Sequence, residues 1–126
     1  MRRIIFAVPV LASITALPAE AEMFGPGFQP CGDKTSTLAV VECVQEKINT
    51  ADQRLNVAYK ALQARIDAAQ RQPLLAAQRL WVQYRDANCG FYGVQDGSIR
   101  QVQAAECLRS MTEDRARELE KAMTFD

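Results

Sequence analysis

Apolar residues recur at steps of three and four through the middle of this chain. The set is Val41, Val44, Ile48, Ala51, Leu55, Ala58, Leu62, Ile66 and Ala69. This spacing places all of them on one stripe of an α-helix. Thr35, Ser36 or Thr37 can cap its start and Pro73 ends the pattern, so we predict a helix from about Thr37 to Gln70. A single helix of roughly 50 Å must pack its stripe against other helices.

Two further stretches have the same helical spacing. The second begins at Pro73, a residue favoured at the first helical position, and fades at Asn88-Cys89-Gly90. Its apolar residues are Leu74, Ala77, Trp81 and Tyr84, with Leu80 beside them. The third starts near Arg100, and its stripe consists of Val102, Ala105, Leu108, Thr112, Ala116, Leu119 and Met123. Glycine, aspartate and serine between residues 90 and 98 predict a loop between these two helices.

The short connection Arg71-Gln72-Pro73 makes the first two helices an antiparallel hairpin. The third helix is then expected to lie along the hairpin, parallel to the first. No strand-like alternation of useful length is present. We therefore predict an all-α fold, a small disulfide-stapled bundle of three helices over residues 37–126, in which one long first helix is paired in an antiparallel hairpin. Residues 22–36 are rich in glycine and proline and predict an extended or looped lead-in.

Residues 1–21 have the three-part layout of a secretory signal peptide. Arg2 and Arg3 precede an apolar stretch from Ile4 to Leu17, and Ala19-Glu20-Ala21 is a small-x-small cleavage site. The 14 residues of that stretch are fewer than the roughly 20 needed to cross a bilayer, so no membrane span is expected. Cleavage near Ala21 would leave a periplasmic or secreted chain with 13 basic and 14 acidic residues.

The sequence contains four cysteines and no histidine. In an oxidising compartment an even set of cysteines is typical of disulfides, and neither a Cys-x-x-Cys pair nor a histidine is present to favour a metal site. The predicted register brings Cys107 to the height of Cys89, whereas Cys43 lies several turns away, beside the lead-in that holds Cys31. We therefore predict the bonds Cys31–Cys43 and Cys89–Cys107, with no metal and no cofactor.

The same composition argues against several classes of function. Without histidine, Ser-His and Cys-His hydrolytic sites are excluded. With 15 basic and 15 acidic residues there is no net charge to attract nucleic acid. No aspartate, glutamate or serine lies in a motif that prescribes catalysis. We expect a protein that binds another protein and is not an enzyme.

Two segments contain a specific pattern of polar and aromatic residues. Residues 51–59 contain Asp52, Leu55, Asn56 and Tyr59, and residues 77–89 contain Gln78, Trp81, Tyr84, Arg85 and Asp86. With Cys43, a Gly-Ser loop, Cys107, Thr112 and Arg115, they resemble the N-terminal domain of the LprI-type lysozyme inhibitors over nearly all of residues 31–122. The resemblance implies an exported bacterial protein with a c-type lysozyme as candidate partner. This chain lacks the cysteine at the cleavage point that lipid-anchored members have.

The motif residues allow two interpretations. Asp52, Asn56 and Tyr59 share a face of the first helix, while Gln78, Trp81 and Arg85 form a similar column on the second. Facing columns predict a polar network in which Arg85 donates to Asp52 or Asn56 and fixes the register of the helices. Aromatic residues at helical spacing more often belong to a core, which favours this structural role. The alternative is a functional groove formed by the same residues.

The glycine-rich loop is the candidate partner-binding element. Its segment contains Asp96, Gly97, Ser98 and Arg100, of which Ser98 and Arg100 can donate hydrogen bonds to the catalytic carboxylates of a lysozyme. The alternative is a plain solvent loop. The mature net charge of −1 gives little steering toward a basic enzyme. Two functions therefore stay open: inhibition of lysozyme by stoichiometric occlusion, and a periplasmic interaction or envelope-associated module with another partner.

Overall fold

The computed structural model describes residues 22–125 and contains three α-helices. These are α1 (Thr37–Arg65), α2 (Ala68–Gly93) and α3 (Ile99–Ala122). Two short 3₁₀ turns, Pro26–Phe28 and Cys31–Asp33, form the lead-in, and the described part of the chain contains no strand. The all-α three-helix fold predicted from the sequence is confirmed. The predicted signal peptide lies outside the described residues, and no helix within residues 22–125 is long and apolar enough to cross a membrane.

The connection between α1 and α2 lies earlier than the sequence predicted. Ile66 ends α1 in an extended conformation, and the Asp67 side chain caps α2 by accepting a hydrogen bond from the Gln70 amide at 3.0 Å. The predicted turn at residues 71–73 is therefore wrong, and Pro73 lies inside α2 and not at its start. Asp67 determines this boundary because aspartate is among the best N-cap residues, whereas arginine and glutamine are poor ones.

At its other end α2 extends past the predicted stop at residues 88–90 and reaches Gly93. Gly90 weakens the helix by about 1 kcal/mol relative to alanine. The neighbouring Cys89 is only 3% exposed and is bonded to α3, so tertiary packing holds this turn in helical form. The loop between the helices is thereby reduced to residues 94–98.

Helix α3 occupies the centre of the bundle. It packs along α1 and also against α2, whereas α1 packs far less extensively on α2. Val44 near the start of α1 shares a core cluster with Val102 near the start of α3, and Leu62 near the end of α1 shares one with Leu119 near the end of α3. These two helices therefore run parallel, as predicted. Helix α2 runs antiparallel to both, since Arg85 near its end approaches Asp52 of α1 and its Cys89 is bonded to Cys107.

The core has two parts along α1. The buried residues of α1 are Val44, Ile48, Ala51, Leu55, Ala58 and Leu62, which confirms the middle of the predicted stripe. Val41 and Ile66 are only partly buried, and the assignment of Ala69 to this stripe is wrong, because Ala69 is exposed on α2. The first part joins Val44 and Ile48 to the lead-in and the start of α3. The second joins Leu55, Ala58 and Leu62 to the end of α3, with Leu74 and Trp81 of α2 packed against it. Cys89 is the only buried residue of α2, so most of this helix lies at the surface of the bundle.

Two disulfides fasten the bundle at different places. Cys31 is bonded to Cys43, which ties the lead-in to the start of α1. Cys89 is bonded to Cys107, which ties the end of α2 to α3. These are the pairs that the helical register predicts.

A buried ion pair fixes the lead-in to α3. Arg109 and Glu106 are both 0% exposed and are joined by two hydrogen bonds, one of them 2.7 Å between Arg109 Nε and Glu106 Oε2. Arg109 also donates to Glu113 at 2.8 Å and to the carbonyl oxygen of Glu22 at 3.0 Å, while the Phe24 amide donates to Glu106. Burial opposes the charged form, yet the hydrogen bond and charge of Glu106 hold the pKa of Arg109 above its ordinary value.

The exposed pair between Arg54 and Glu120 gives a small pH-dependent contribution to stability. The hydrogen bond from Arg54 lowers the pKa of the Glu120 carboxyl below its ordinary value. Stability from a carboxylate with a lowered folded-state pKa is present above the unfolded-state pKa and is lost as the pH falls through the folded-state pKa. Because the two side chains are 46% and 41% exposed, we expect Glu120→Gln to cost less than about 1 kcal/mol near neutral pH.

Urea unfolding of the wild type and of Glu120→Gln, at neutral pH and in acid below the Glu120 pKa, measures this term. The difference should disappear in acid. Glu42→Gln, which changes an exposed residue at the start of α1, should show no such dependence. A difference of equal size at both pH values would contradict the assignment.

Candidate functional site

Arg85 is the centre of the family-like motif and lies where the three helices meet. Its Nη1 atom is 3.7 Å from Asp52 Oδ1 on α1 and 3.5 Å from the Thr112 hydroxyl on α3. Its guanidinium lies 5.0 Å from the centre of the Trp81 ring, within the range of a cation–π contact. The neighbouring Asp86 accepts a 3.0 Å hydrogen bond from Arg85 Nε. Arg85, whose side chain is 18% exposed, therefore connects α2 to both other helices.

Other motif residues lie in separate contacts. Leu55 is part of the core, and the Tyr59 hydroxyl accepts a hydrogen bond from Gln63 at 3.0 Å. Gln78 accepts from Arg115 of α3, also at 3.0 Å. Asn56 is exposed, so it does not share the place of Asp52 beside Arg85. The motif is thus a set of helix-to-helix contacts and not one continuous polar network.

The apolar face predicted for α2 is only partly buried. Leu74 and Trp81 pack against the core, but Tyr84 is 63% exposed and Leu80 is 65% exposed, and Ala77 is also exposed. Gln78 and Arg85 face α3 instead of these apolar residues. Gln78 accepts a hydrogen bond from Arg115, and Arg85 donates one to Thr112. The expectation that Ala77 and Tyr84 belong to the packed face is therefore wrong.

The loop between α2 and α3 presents its polar residues to solvent. Gly97 has a φ of +88°, a conformation that favours glycine. Asp96, Ser98 and Arg100 are exposed, and within residues 22–125 neither the Ser98 hydroxyl nor the Arg100 guanidinium is engaged in a hydrogen bond or ion pair. The loop lies between Cys89 and Cys107 in sequence, so their disulfide restrains both of its flanking helices. It thereby offers two free donors on a restrained segment.

The described residues hold no arrangement suited to metal binding, since no group of three or more His, Cys, Asp or Glu side chains comes together among residues 22–125. The charged side chains that do meet are engaged in ion pairs between or within helices.

Sequence reasoning missed the buried pair Glu106 and Arg109. Its signal was present: Arg109, and not Leu108, continues the alternating steps of three and four from Val102 and Ala105 to Thr112. An arginine on an apolar stripe, with glutamates three residues before it and four after it, indicates a charge buried with its partners.

Comparison with known proteins places this geometry in a family. The family model described as "Lysozyme inhibitor LprI" matches residues 31–119. The chain belongs to the LprI family. The matched range contains all four cysteines, the contacts around Arg85 and the loop before α3.

A second comparison finds a relative along nearly the whole chain. An uncharacterised protein of Rhizobium meliloti (strain 1021) is 33% identical over 138 aligned positions, which cover 98% of this chain and 96% of the relative. No solved structure matches this LprI-family chain.

Replacing Arg85 by Ala tests the structural interpretation of the motif. We expect the free energy of unfolding to fall by about 1–2 kcal/mol, because the Trp81 contact is lost and the buried Thr112 hydroxyl loses a donor. Urea unfolding measures the change. Arg85→Lys, which keeps the positive charge, should lower the free energy of unfolding by less than Arg85→Ala does. If Arg85→Ala folds with unchanged stability, the motif does not act through these contacts.

Proposed function

We propose that this LprI-family protein is exported and inhibits a c-type lysozyme by stoichiometric occlusion of its active site. The observation that carries the proposal is the family match over residues 31–119. Two disulfides are typical of proteins in an oxidising compartment, which supports a periplasmic or secreted location after signal peptide cleavage near Ala21. The protein acts by binding and not by catalysis.

The loop at residues 94–98, together with Arg100, is the proposed inhibitory element. A lysozyme cleft holds two catalytic carboxylates about 5 Å apart. Ser98 and Arg100 have free donors at the exposed end of the bundle, and hydrogen bonds from a guanidinium to carboxylates are among the stronger polar contacts. Because the flanking helices are already bonded through Cys89 and Cys107, less conformational entropy is lost when the loop binds.

The experiment is a cell-wall lysis assay with a c-type lysozyme and increasing amounts of the purified mature protein. Inhibition that saturates near one inhibitor per enzyme supports the proposal. Absence of inhibition at stoichiometric excess would favour the alternative, an envelope interaction module with another protein partner.

The double variant Ser98→Ala, Arg100→Ala tests the loop separately. We expect at least a tenfold loss of inhibitory affinity, since two donors to charged acceptors are removed. The matched control is Arg79→Ala, which removes an exposed arginine from α2 away from the loop. Unchanged inhibition by the double variant would remove the loop from the mechanism and leave the family-level function intact.

A further inference from the structure

Helix α2 presents a continuous apolar seam to solvent. Its residues, here called the α2 seam, are Ala77, Leu80, Tyr84, Ala87 and Phe91 of α2 and Val94, which directly follows the end of the helix. They follow one another at steps of three, four, three, four and three, which is the spacing of the contact positions in a pair of packed helices. All six are exposed, and the four large ones are between 61% and 82% exposed. The seam is about 26 Å long at the rise of an α-helix.

Among residues 22–125, no other helix covers this seam, although the Phe91 ring makes an edge contact with its neighbour Tyr92. Helix α2 contacts α3 through a different face, which contains Gln78, Trp81, Arg85 and Cys89. Elsewhere, Leu38 and Val57 are exposed on α1, and Val57 borders a short groove with Ala61 and Met123. Small groups of apolar residues are normal on a protein surface, whereas a long contiguous row marks an interaction site.

The charge and shape of the seam determine its occupant. None of its six residues is charged, and neither are its neighbours Gln83 and Gly90, so the seam offers nothing to a strongly basic enzyme. A second copy of the same helix is apolar at the same spacing. If two copies run antiparallel, Tyr84 lies opposite the small Ala87 of the other copy and Leu80 lies opposite its Phe91. A parallel pair would set the two Tyr84 rings against each other.

The area of the seam is sufficient for a weak dimer. If all of the seam's exposed side-chain surface were covered in both copies, a pair would bury at most about 1,000 Å², at the lower limit for a specific protein interface. We propose that the protein forms a reversible homodimer through antiparallel packing of the α2 seams. Because α2 ends at the loop, the antiparallel arrangement places the two loops at opposite ends of the dimer. Val94 is shared by the seam and the loop, but Ser98 and Arg100 lie beyond the seam and stay accessible, so the dimer does not depend on the proposed inhibitory function.

The test is sedimentation equilibrium of the mature wild-type protein from about 10 µM to about 1 mM, a range suited to a weak interface. We expect a reversible monomer–dimer equilibrium. Leu80→Glu and Phe91→Glu should each weaken dimerisation at least tenfold, because the dimer would bury their charges. Val57→Glu and Leu38→Glu are matched controls, since these residues are 69% and 67% exposed but lie off the seam. They should dimerise like the wild type.

Several results would overturn the proposal. If the wild-type protein stays monomeric up to the highest concentration, the proposed homodimer does not form. If Val57→Glu and Leu38→Glu weaken dimerisation as much as the seam variants do, association depends on general surface hydrophobicity and not on the α2 seam. If the wild type is monomeric and Leu80→Glu abolishes lysozyme inhibition, the seam binds the enzyme and not a second copy.

The orientation of the two helices can be measured separately. A spin label on Ala77→Cys should report a separation of at least about 26 Å between the two copies if the seams are antiparallel, and about 10 Å if they are parallel. Circular dichroism checks that the labelled protein and all glutamate variants keep the helical fold. A short distance in the dimer would refute the antiparallel register.

Discussion

Replacing Arg109 by Met is expected to lower the free energy of unfolding by about 3–5 kcal/mol, the largest effect of any single substitution considered for this protein. Arg109 and Glu106 are fully buried, so the substitution leaves the Glu106 carboxylate without its cation in the interior. The hydrogen bonds from Arg109 to Glu113 and to the Glu22 carbonyl are lost as well. A domain of this size has about 5–15 kcal/mol of stability in total, so the variant should be close to unfolding.

Urea unfolding with circular dichroism at low temperature measures this loss, and hydrogen exchange at the Phe24 amide, which donates to Glu106, reports the release of the lead-in. The control is the double variant Glu106→Leu, Arg109→Met. Removal of both charges should restore most of the stability, because the cost lies in the unpaired charge and not in the absence of the pair. A single variant that loses under about 1 kcal/mol would show that Arg109 is not essential to the fold.

This pair also shows how far the sequence predicts the fold. The apolar stripe of α1 is readable because its six central positions, from Val44 to Leu62, are all hydrophobic and buried. The stripe of α3 was assigned to Leu108, which is only partly buried, whereas Arg109 occupies the buried position. Periodicity counts hydrophobic residues, so it misses a position where a charged residue is buried with its own partners.

The helix boundaries show a related limit. Pro73 was expected at the start of α2, but the helix begins at Ala68 because Asp67 is a better cap than any residue in the predicted turn. Tertiary contacts decide the other end, where the bond between Cys89 and Cys107 keeps Gly90 inside the helix. Local signals identified the elements and their order, but competition between neighbouring signals set their ends.

The candidate site was harder to predict than the fold. Its motif residues face several partners, and only three-dimensional packing shows that Arg85 reaches Thr112 on α3 while Tyr84 faces solvent. The α2 seam has the same spacing as a buried stripe, so the sequence does not say whether α3 covers it. The exposure of Leu80 and Phe91 shows that α3 does not.

Removing the disulfide between Cys89 and Cys107 is expected to have the second largest effect on stability. The double variant Cys89→Ala, Cys107→Ala frees a loop of 18 residues in the unfolded chain, for which the entropic term is about 3 kcal/mol. It also frees the two helix ends that hold the loop proposed to enter the lysozyme cleft. Inhibitory affinity should therefore fall at least tenfold, because the loop must lose more conformational entropy on binding.

The other disulfide provides the matched comparison. Cys31→Ala, Cys43→Ala opens a loop of 12 residues, so its unfolding cost should also be about 3 kcal/mol, but it changes the lead-in and leaves the residues before α3 in place. Urea unfolding gives the two stability losses, and lysis assays at a temperature where both variants are folded give the two affinities. Equal stability loss with unequal inhibition assigns the inhibitory role to the segment between α2 and α3. Equal loss of inhibition would mean that the disulfides act only through the stability of the whole bundle.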